Sequence, residues 1–408
     1  MRSGLMLPVA VPSCVCSTIA RTLRVRGFIE MFGGSLIDAE WFFGEADSIY
    51  RQLGDERGMA YIEQHRAWIA FLSGEFTAAR ERLTHAASTL GQLGDRNGVG
   101  WAYGLLAFVE FFERQFDRAE SLAVAVRREA DSRGDGWAVG MMDTLLAQLA
   151  LWRGNIVEAH ELAEKARSRF KRLNDSYGLV QAIVPLLRAQ IALGRNTAAQ
   201  RTTEELASLA DSSRNGPMPL QALAGAAMHR GRGAEVIEAV SRATDAMQAI
   251  GSRSPEPTIM TAVAHLQLGD LDAALVALDS IDRPEGGTPF GDAAAALVYA
   301  ATGRADRALE LADAVEAASG GTYLDDVFAL VARAAASHAL GDRDVAVGAA
   351  DQAALRASGA GDVVATALAT AVYRAITGDE HPAHDSRHPL SEGWRTAVRL
   401  LVPDPRQG

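Results

Sequence analysis

An anchor residue, usually Gly, followed five positions later by Ala recurs along this chain on a near-constant beat. Gly34/Ala39, Gly74/Ala79, Arg114/Ala119, Gly154/Ala159 and Gly194/Ala199 stand 40 residues apart. Gly231/Val236, Gly269/Ala274, Gly303/Ala308, Gly341/Ala346 and Gly378/Ala383 continue the series at steps of 37, 38, 34, 38 and 37. A period of this length means that each copy is one supersecondary unit, which buries its apolar face only by stacking on its neighbours.

Within a copy, the residues before the anchor place apolar side chains at helical spacing, as in Ala60, Ile62, Ala67, Ile69, Ala70 and Phe71. The residues after it do the same, as in Phe76, Ala79, Leu83, Ala86 and Leu90. Each copy is therefore two antiparallel helices. The anchor Gly suits the left-handed position just past the first helix, and the Ala sits where the second helix crosses the first. A second beat joins the copies: in "LGDERG", "LGDRNG" and "RGDGWA", Gly54, Gly94 and Gly134 end one helix, and Asp55, Asp95 and Asp135 cap the next. Asn174-Asp175 keeps the same place. Alternating apolar and polar runs bounded by hairpin turns are missing from the sequence, so the fold class expected is all-α.

Gly74-x-Phe76-x-x-Ala79, Arg114-x-Phe116-x-x-Ala119, Gly154-x-Ile156-x-x-Ala159 and Gly269-x-Leu271-x-x-Ala274 resemble tetratricopeptide repeats. Each follows a helix carrying a small residue such as Ala67, Ala107, Ala147 or Ala262. The resemblance covers about residues 20–385 and implies an α–α superhelix, a solenoid of about ten antiparallel helix pairs. Arg114 and Val236 depart from the usual Gly and Ala, and the usual proline between units is missing. The 40-residue region also resembles the repeat arrays of bacterial multidomain regulators of the AAA-type ATPase/cyclase or LuxR type, although no catalytic part of such a protein is present in this sequence.

The expected organisation is an irregular segment over 1–18, a 40-residue-period array over 19–211, a 34–38-residue-period array over 212–378, and a polar linker with a capping helix over 379–408. Breaks in curvature are expected at 212–219 ("SSRNGPMP") and 252–257 ("SRSPEP"), where Pro and Gly stop helices. The Ala- and Gly-rich second half reads as having thinner interfaces between units.

A net charge of −11 argues against a nucleic-acid footprint. Arg, Asp or Glu interrupts every later apolar segment, so no membrane partner is expected and a cytoplasmic location is. Cys14 and Cys16 are too close together for ordinary disulfide geometry and too few for a structural zinc site. The opening "MRSGLMLPVAVPSCVCSTIA" reads either as a secretory signal or, with two prolines breaking its apolar run, as an irregular start.

No motif carries chemistry. Gly98, Gly100 and Gly104 mimic a dinucleotide-binding pattern but follow a helix end, not a strand. "HELAE" at 160–164 lacks the second His of a zinc motif. In "GDEHPAHDSRHPL", His381, His384 and His388 with Asp379 and Asp385 offer transition-metal ligands, against the plainer reading of a polar linker. A non-enzymatic protein without a cofactor is expected, since no paired carboxylates and no nucleophile with a base can be assembled from the motifs.

The resemblance places function on the inner face lined by the first helices. It puts Tyr61, Trp68, Phe71, Trp101, Phe108, Phe111 and Arg188 near that groove as candidate partner-binding residues. Helical spacing places core residues at the same positions, so each aromatic has a packing reading as well, with Trp68 or Phe108 expected as exposed anchors. The partner implied is a protein or peptide in bacterial signalling or transcriptional regulation. The alternative is a small effector sensed for a multidomain regulator whose catalytic domains lie outside this chain.

Overall fold

The structure is a computed structural model, and it describes residues 13–32, 35–210, 217–249, 256–281, 288–318 and 320–403. The chain divides into two compact units, residues 1–145 with 249–252 and residues 146–248 with 253–408. Twenty helices are present among the described residues, with no strand.

Unit 1 holds α1 (Ser13–Phe32), α2 (Leu36–Leu53), α3 (Glu56–Leu72), α4 (Phe76–Gln92), α5 (Arg96–Phe112), α6 (Phe116–Ser132) and the first half of α7 (Gly136–Trp152). The two beats of the sequence are its two kinds of joint. Gly74 and Arg114 have φ of 79° and 60°, so the chain reverses there from the first helix of a pair to the second. Gly54, Gly94 and Gly134 take φ of 64°, 68° and 72° between pairs. At those joints Asp55, Asp95 and Asp135 accept from the backbone amides of Gly58, Gly98 and Ala138, satisfying a donor that the first turn of a helix leaves free. Ala79 and Ala119 are fully buried at the crossings within pairs.

Unit 2 continues the pairing with α8 (Ile156–Leu173), α9 (Ser176–Ala192), α10 (Asn196–Ala210), α11 (Met218–His229), α12 (Gly233–Ala249), α13 (Glu256–Leu268) and α14 (Leu271–Asp279). It closes with α15 (Pro289–Ala301), α16 (Ala305–Ala317), α17 (Tyr323–Ala339), α18 (Arg343–Ala360), α19 (Val363–Thr377) and α20 (Glu392–Leu401). Asn174 adopts φ 52° where earlier joints have Gly, and Asp175 caps α9 by accepting from Gly178.

Four local expectations meet the structure differently. The helix α1 begins at Ser13, so an irregular stretch does not extend to residue 18; residues 1–12 lie outside those described, as does the anchor Gly34. Of the two expected breaks, 212–216 and 252–255 lie outside the described residues, while Pro219 and Pro257 sit in the first turns of α11 and α13. The tenth anchor, Gly378, ends α19 with φ 86°, but Ala383 lies among turns over 379–390 and opens no helix. Finally, the alanines of α15 do not mark a thin interface. Ala293, Ala294, Ala295, Ala296, Leu297 and Val298 are all fully buried, because α13, α14, α16, α17 and α20 pack around that helix on every side and leave room only for small side chains.

Candidate functional site

In unit 1 the first helices of successive pairs touch one another, α1 to α3 and α3 to α5, and together form an inner face. A pocket of about 310 Å³ opens in it, lined by Arg24, Val25 and Phe28 of α1, Tyr61, Gln64 and His65 of α3, and Asn97, Gly98 and Trp101 of α5. Each helix contributes an i, i+4 pair, Arg24/Phe28, Tyr61/His65 and Asn97/Trp101, which is the spacing that puts two side chains one above the other on a helix face.

The polar groups around the pocket are unevenly satisfied. The Tyr61 hydroxyl donates to Asp95 Oδ2 at 3.0 Å, and Arg57 approaches the same carboxylate at 3.5 Å. Burial first, and then the hydrogen bond to Asp95, push the Tyr61 phenol above its ordinary range. Gln64 Nε2 donates to the Gly98 carbonyl. His65 is 8% exposed and its ring is enclosed by Phe28 at 5.3 Å, Phe43 at 5.2 Å and Trp101 at 5.8 Å between centroids. That burial, with the charge of Arg24 beside it, lowers the imidazole to about 3, so the ring is neutral at physiological pH. The guanidinium carbon of Arg24 lies 4.5 Å from the Tyr61 ring centroid, a cation–π contact. Among the described residues, His65 Nδ1 and Arg24 Nε are buried without a hydrogen-bond partner. The lining combines one cation, neutral donors and acceptors, and three aromatic walls.

Of the residues singled out in the sequence, Tyr61 and Trp101 line this pocket and Trp68 stands behind it, its ring 5.0 Å from that of Trp101. The exposure expected of Trp68 and Phe108 is not found: both are buried, as is Phe111 at 1%, because these positions face the seam between neighbouring helices. Phe71 is half-buried in a separate aromatic group with Phe76 and the exposed Phe112, at 6.0 and 5.4 Å. Arg188 belongs to unit 2, where its charge bears on buried Tyr323, whose hydroxyl donates to Asp362 at 2.8 Å. Arg24, Gln64, His65 and Asn97 were not anticipated. The i, i+4 steps from Tyr61 to His65 and back from Trp101 to Asn97 were available in the sequence as a signal; Arg24 precedes the clear repeats and had none.

The inner face of unit 2 carries a cover of its own. Helix α20 packs on α13, α15 and α17, all first helices of pairs, as well as on α19, and so is not merely a lid on the last pair. Trp394 is buried there, donating Nε1 to the His229 carbonyl at 2.9 Å and lying 5.6 Å from Phe328. The three histidines before α20 diverge. His381 is buried against Asp351 at 3.0 Å, His384 lies 3.9 Å from Glu380, and His388 approaches Gly194. Among the described residues no cluster of three potential ligands could hold a metal ion, and no helix is long and apolar enough to cross a membrane.

No protein-family model matches the chain, and comparison with curated proteins finds no match either. Among solved structures, a Rap protein complexed with competence and sporulation factor aligns over 86% of this chain and 88% of its own, with 13% identity and a TM-score of 0.54. Two looser likenesses, at TM-scores below those of a shared fold, are a signal transduction ATPase with numerous domains and a tetratricopeptide repeat sensor from Pyrococcus horikoshii and the apo quorum sensor NprR from B. thuringiensis. The first has 14% identity, 82% of this chain, 49% of that chain and a TM-score of 0.45; the second has 12%, 87%, 98% and 0.39. The fold is all-α, of the tetratricopeptide-type α–α superhelix class, and the chain is a helical-repeat protein of that kind.

Proposed function

We propose that the protein is a non-enzymatic binding module that takes up a protein or peptide segment on the inner face of unit 1, in bacterial signalling or transcriptional regulation. The observation that carries this reading is the pocket between α1, α3 and α5, an aromatic-walled recess whose lining holds polar atoms that nothing in the described chain satisfies. Buried polar groups are ordinarily paired, so unpaired ones beside an open recess mark a place where a ligand completes the bonding. The Rap protein of similar fold, complexed with competence and sporulation factor, supports a binding role for such an array. In unit 2, α20 already occupies the surface of α13, α15, α17 and α19, so that stretch is less open to an external segment.

A displayed random-peptide library selected on the full chain tests this. Enriched peptides should bind in solution and lose binding to Asn97→Trp, which blocks the pocket mouth from an exposed position. Failure to enrich peptides, with a small metabolite retained in native mass spectrometry and displaced from the same variant, would replace the peptide by a small effector. Retention of peptide binding by Asn97→Trp would move the site elsewhere.

A further inference from the structure

We infer that residues 388–402 form a releasable strap across the inner face of unit 2: α20 undocks as one step while the helix pairs beneath it stay folded. The inference concerns unit 2 and stands apart from the pocket of unit 1.

The path of the segment makes it a strap. His388 lies over the Gly194 joint, Ser391 and Trp394 over the Gly231 joint, and Thr396 over the Gly269 joint, so the segment crosses the reversals of three successive pairs. On its other side α20 packs on α15, α17 and α19. It thereby ties the earlier pairs of unit 2 to the later ones.

Its docking face is narrow. Trp394, Ala397, Val398 and Leu401 are buried, an i, i+3, i+4, i+7 stripe on one side of the helix, whereas Glu392, Arg395 and Arg399 are exposed. The charges of α20 are satisfied within it. Glu392 pairs with Arg395 at 2.9 Å and with Arg399 at 3.1 Å, and Ser391 caps the first turn. Among the described residues no ion pair joins α20 to another helix, and its side-chain hydrogen bond outward is the one from Trp394 to the His229 carbonyl. Departure of α20 therefore breaks one such bond and uncovers one apolar stripe. Departure of α15, whose residues 293–298 are all buried, would expose apolar side chains all round.

Close approach holds the strap down, and a pinned tether lets it return. A Cβ on Gly393 would collide with the Gly231 carbonyl, and one on Gly231 would collide with the Ser391 hydroxyl, so the two backbones meet directly. Upstream, buried His381 fixes the chain: its Nε2 lies 3.0 Å from Asp351 of α18, and its Nδ1 accepts from the Ala383 amide. The residues from Pro382 to Ser391 can extend to about 33 Å, enough for α20 to swing clear of its groove. A free helix of 10 residues is unstable in water, so the released segment also loses its amide protection.

Hydrogen exchange of the full chain at low urea, resolved to single amides by mass spectrometry, tests the strap. The amides from Ala397 to Leu401 should share one rate, at least 100-fold faster than the slowest amides of α15 and α17, with a weaker urea dependence, as a sub-global opening requires. Gly393→Ala should accelerate that exchange at least tenfold and leave α15 and α17 unchanged. Hydroxyl-radical oxidation of Phe328, buried 5.6 Å from the Trp394 ring, should rise at least fivefold in the same variant. Exchange of α20 as slow as that of α15, or graded backward from Leu401 as fraying is, overturns the inference. So does a Gly393→Ala chain that leaves Phe328 oxidation unchanged, or that accelerates α15 and α17 as much as α20. Failure of Gly393→Ala to fold would make α20 part of one cooperative core, and would overturn it too.

Discussion

The Cβ that Gly178 lacks would stand 2.2 Å from Cε1 of Phe170, a distance no side-chain carbon adopts. Phe170 lies in the last turn of α8 and Gly178 in the first turn of α9, so the aromatic ring packs against the backbone of the next pair, and the Gly178 amide donates to Asp175. Gly58 meets Tyr50 and Gly98 meets Leu90 in the same way. At the equivalent place in the repeat between them and α9, the chain has Ala130 and Ala138, where a small residue before the joint accompanies a side chain after it.

Gly178→Ala should therefore destabilise unit 2 by about 1–3 kcal/mol through overpacking. In combination with Phe170→Ala the two losses should fall short of their sum by about 0.5–3 kcal/mol, since one change makes room for the other. Urea unfolding of the single and double variants measures the coupling, and strict additivity would show that the ring and the glycine are independent.

The crossings within pairs give a second expectation. Ala119 and Ala159 are fully buried five residues beyond Arg114 and Gly154. Replacing either by Leu forces the two helix axes apart, for about 1–3 kcal/mol. Ser at the same sites should cost much less, and a denaturant midpoint that does not distinguish Leu from Ser would refute the close approach.

What was legible follows from range. Caps, left-handed joints and pair crossings are set by residues within about one helical turn of one another, and the 40-residue beat exposes them directly. Even Arg114, a departure from the motif, takes the anchor's left-handed conformation at φ 60° because the joint demands it. The site was only half legible. Tyr61 and Trp101 were found because aromatics stand out. Trp68, Phe108 and Phe111 share their spacing but turn into the seam, since helical periodicity identifies a face and not whether a neighbour covers it. His65 offered only its i, i+4 step from Tyr61 and Arg24 carries no local signature at all, as their significance comes from what fails to pair with them.

Helix α20 was legible as a terminal helix but its packing was not, because Trp394 bonds to a carbonyl 165 residues away. Gly393 lets it approach: a Cβ there would lie 2.1 Å from the Gly231 carbonyl oxygen. Trp394→Ala should cost about 3–5 kcal/mol, the loss for a fully buried aromatic, and should lower the unfolding temperature. Near-UV circular dichroism should lose tryptophan intensity in the same variant. A loss under about 1 kcal/mol would mean that α20 rests on the surface of α13, α15 and α17 and is not packed into it.

Stability should fall on mild acidification, and His65 supplies a share of that fall. Its folded-state value of about 3 lies below the ordinary 6.5, so between those values the unfolded chain binds a proton that the folded chain refuses. Stability from this group is thus complete above 6.5 and declines as pH drops toward 3, with a slope of at most about 1.4 kcal/mol per pH unit. Asp362 adds to the decline only at lower pH. Burial alone would raise it, but the charge and hydrogen bond of His229, the Ala365 amide and the Tyr323 hydroxyl outweigh burial and hold it below its ordinary 3.8. Its contribution is therefore present above that value and lost as pH falls through the lower folded-state one. Between pH 7 and 5 the carboxylate is silent, so urea midpoints taken across that window report histidines. His65→Phe, which keeps the aromatic enclosure, should flatten the dependence, and an unchanged slope in that variant would assign the pH response to other histidines.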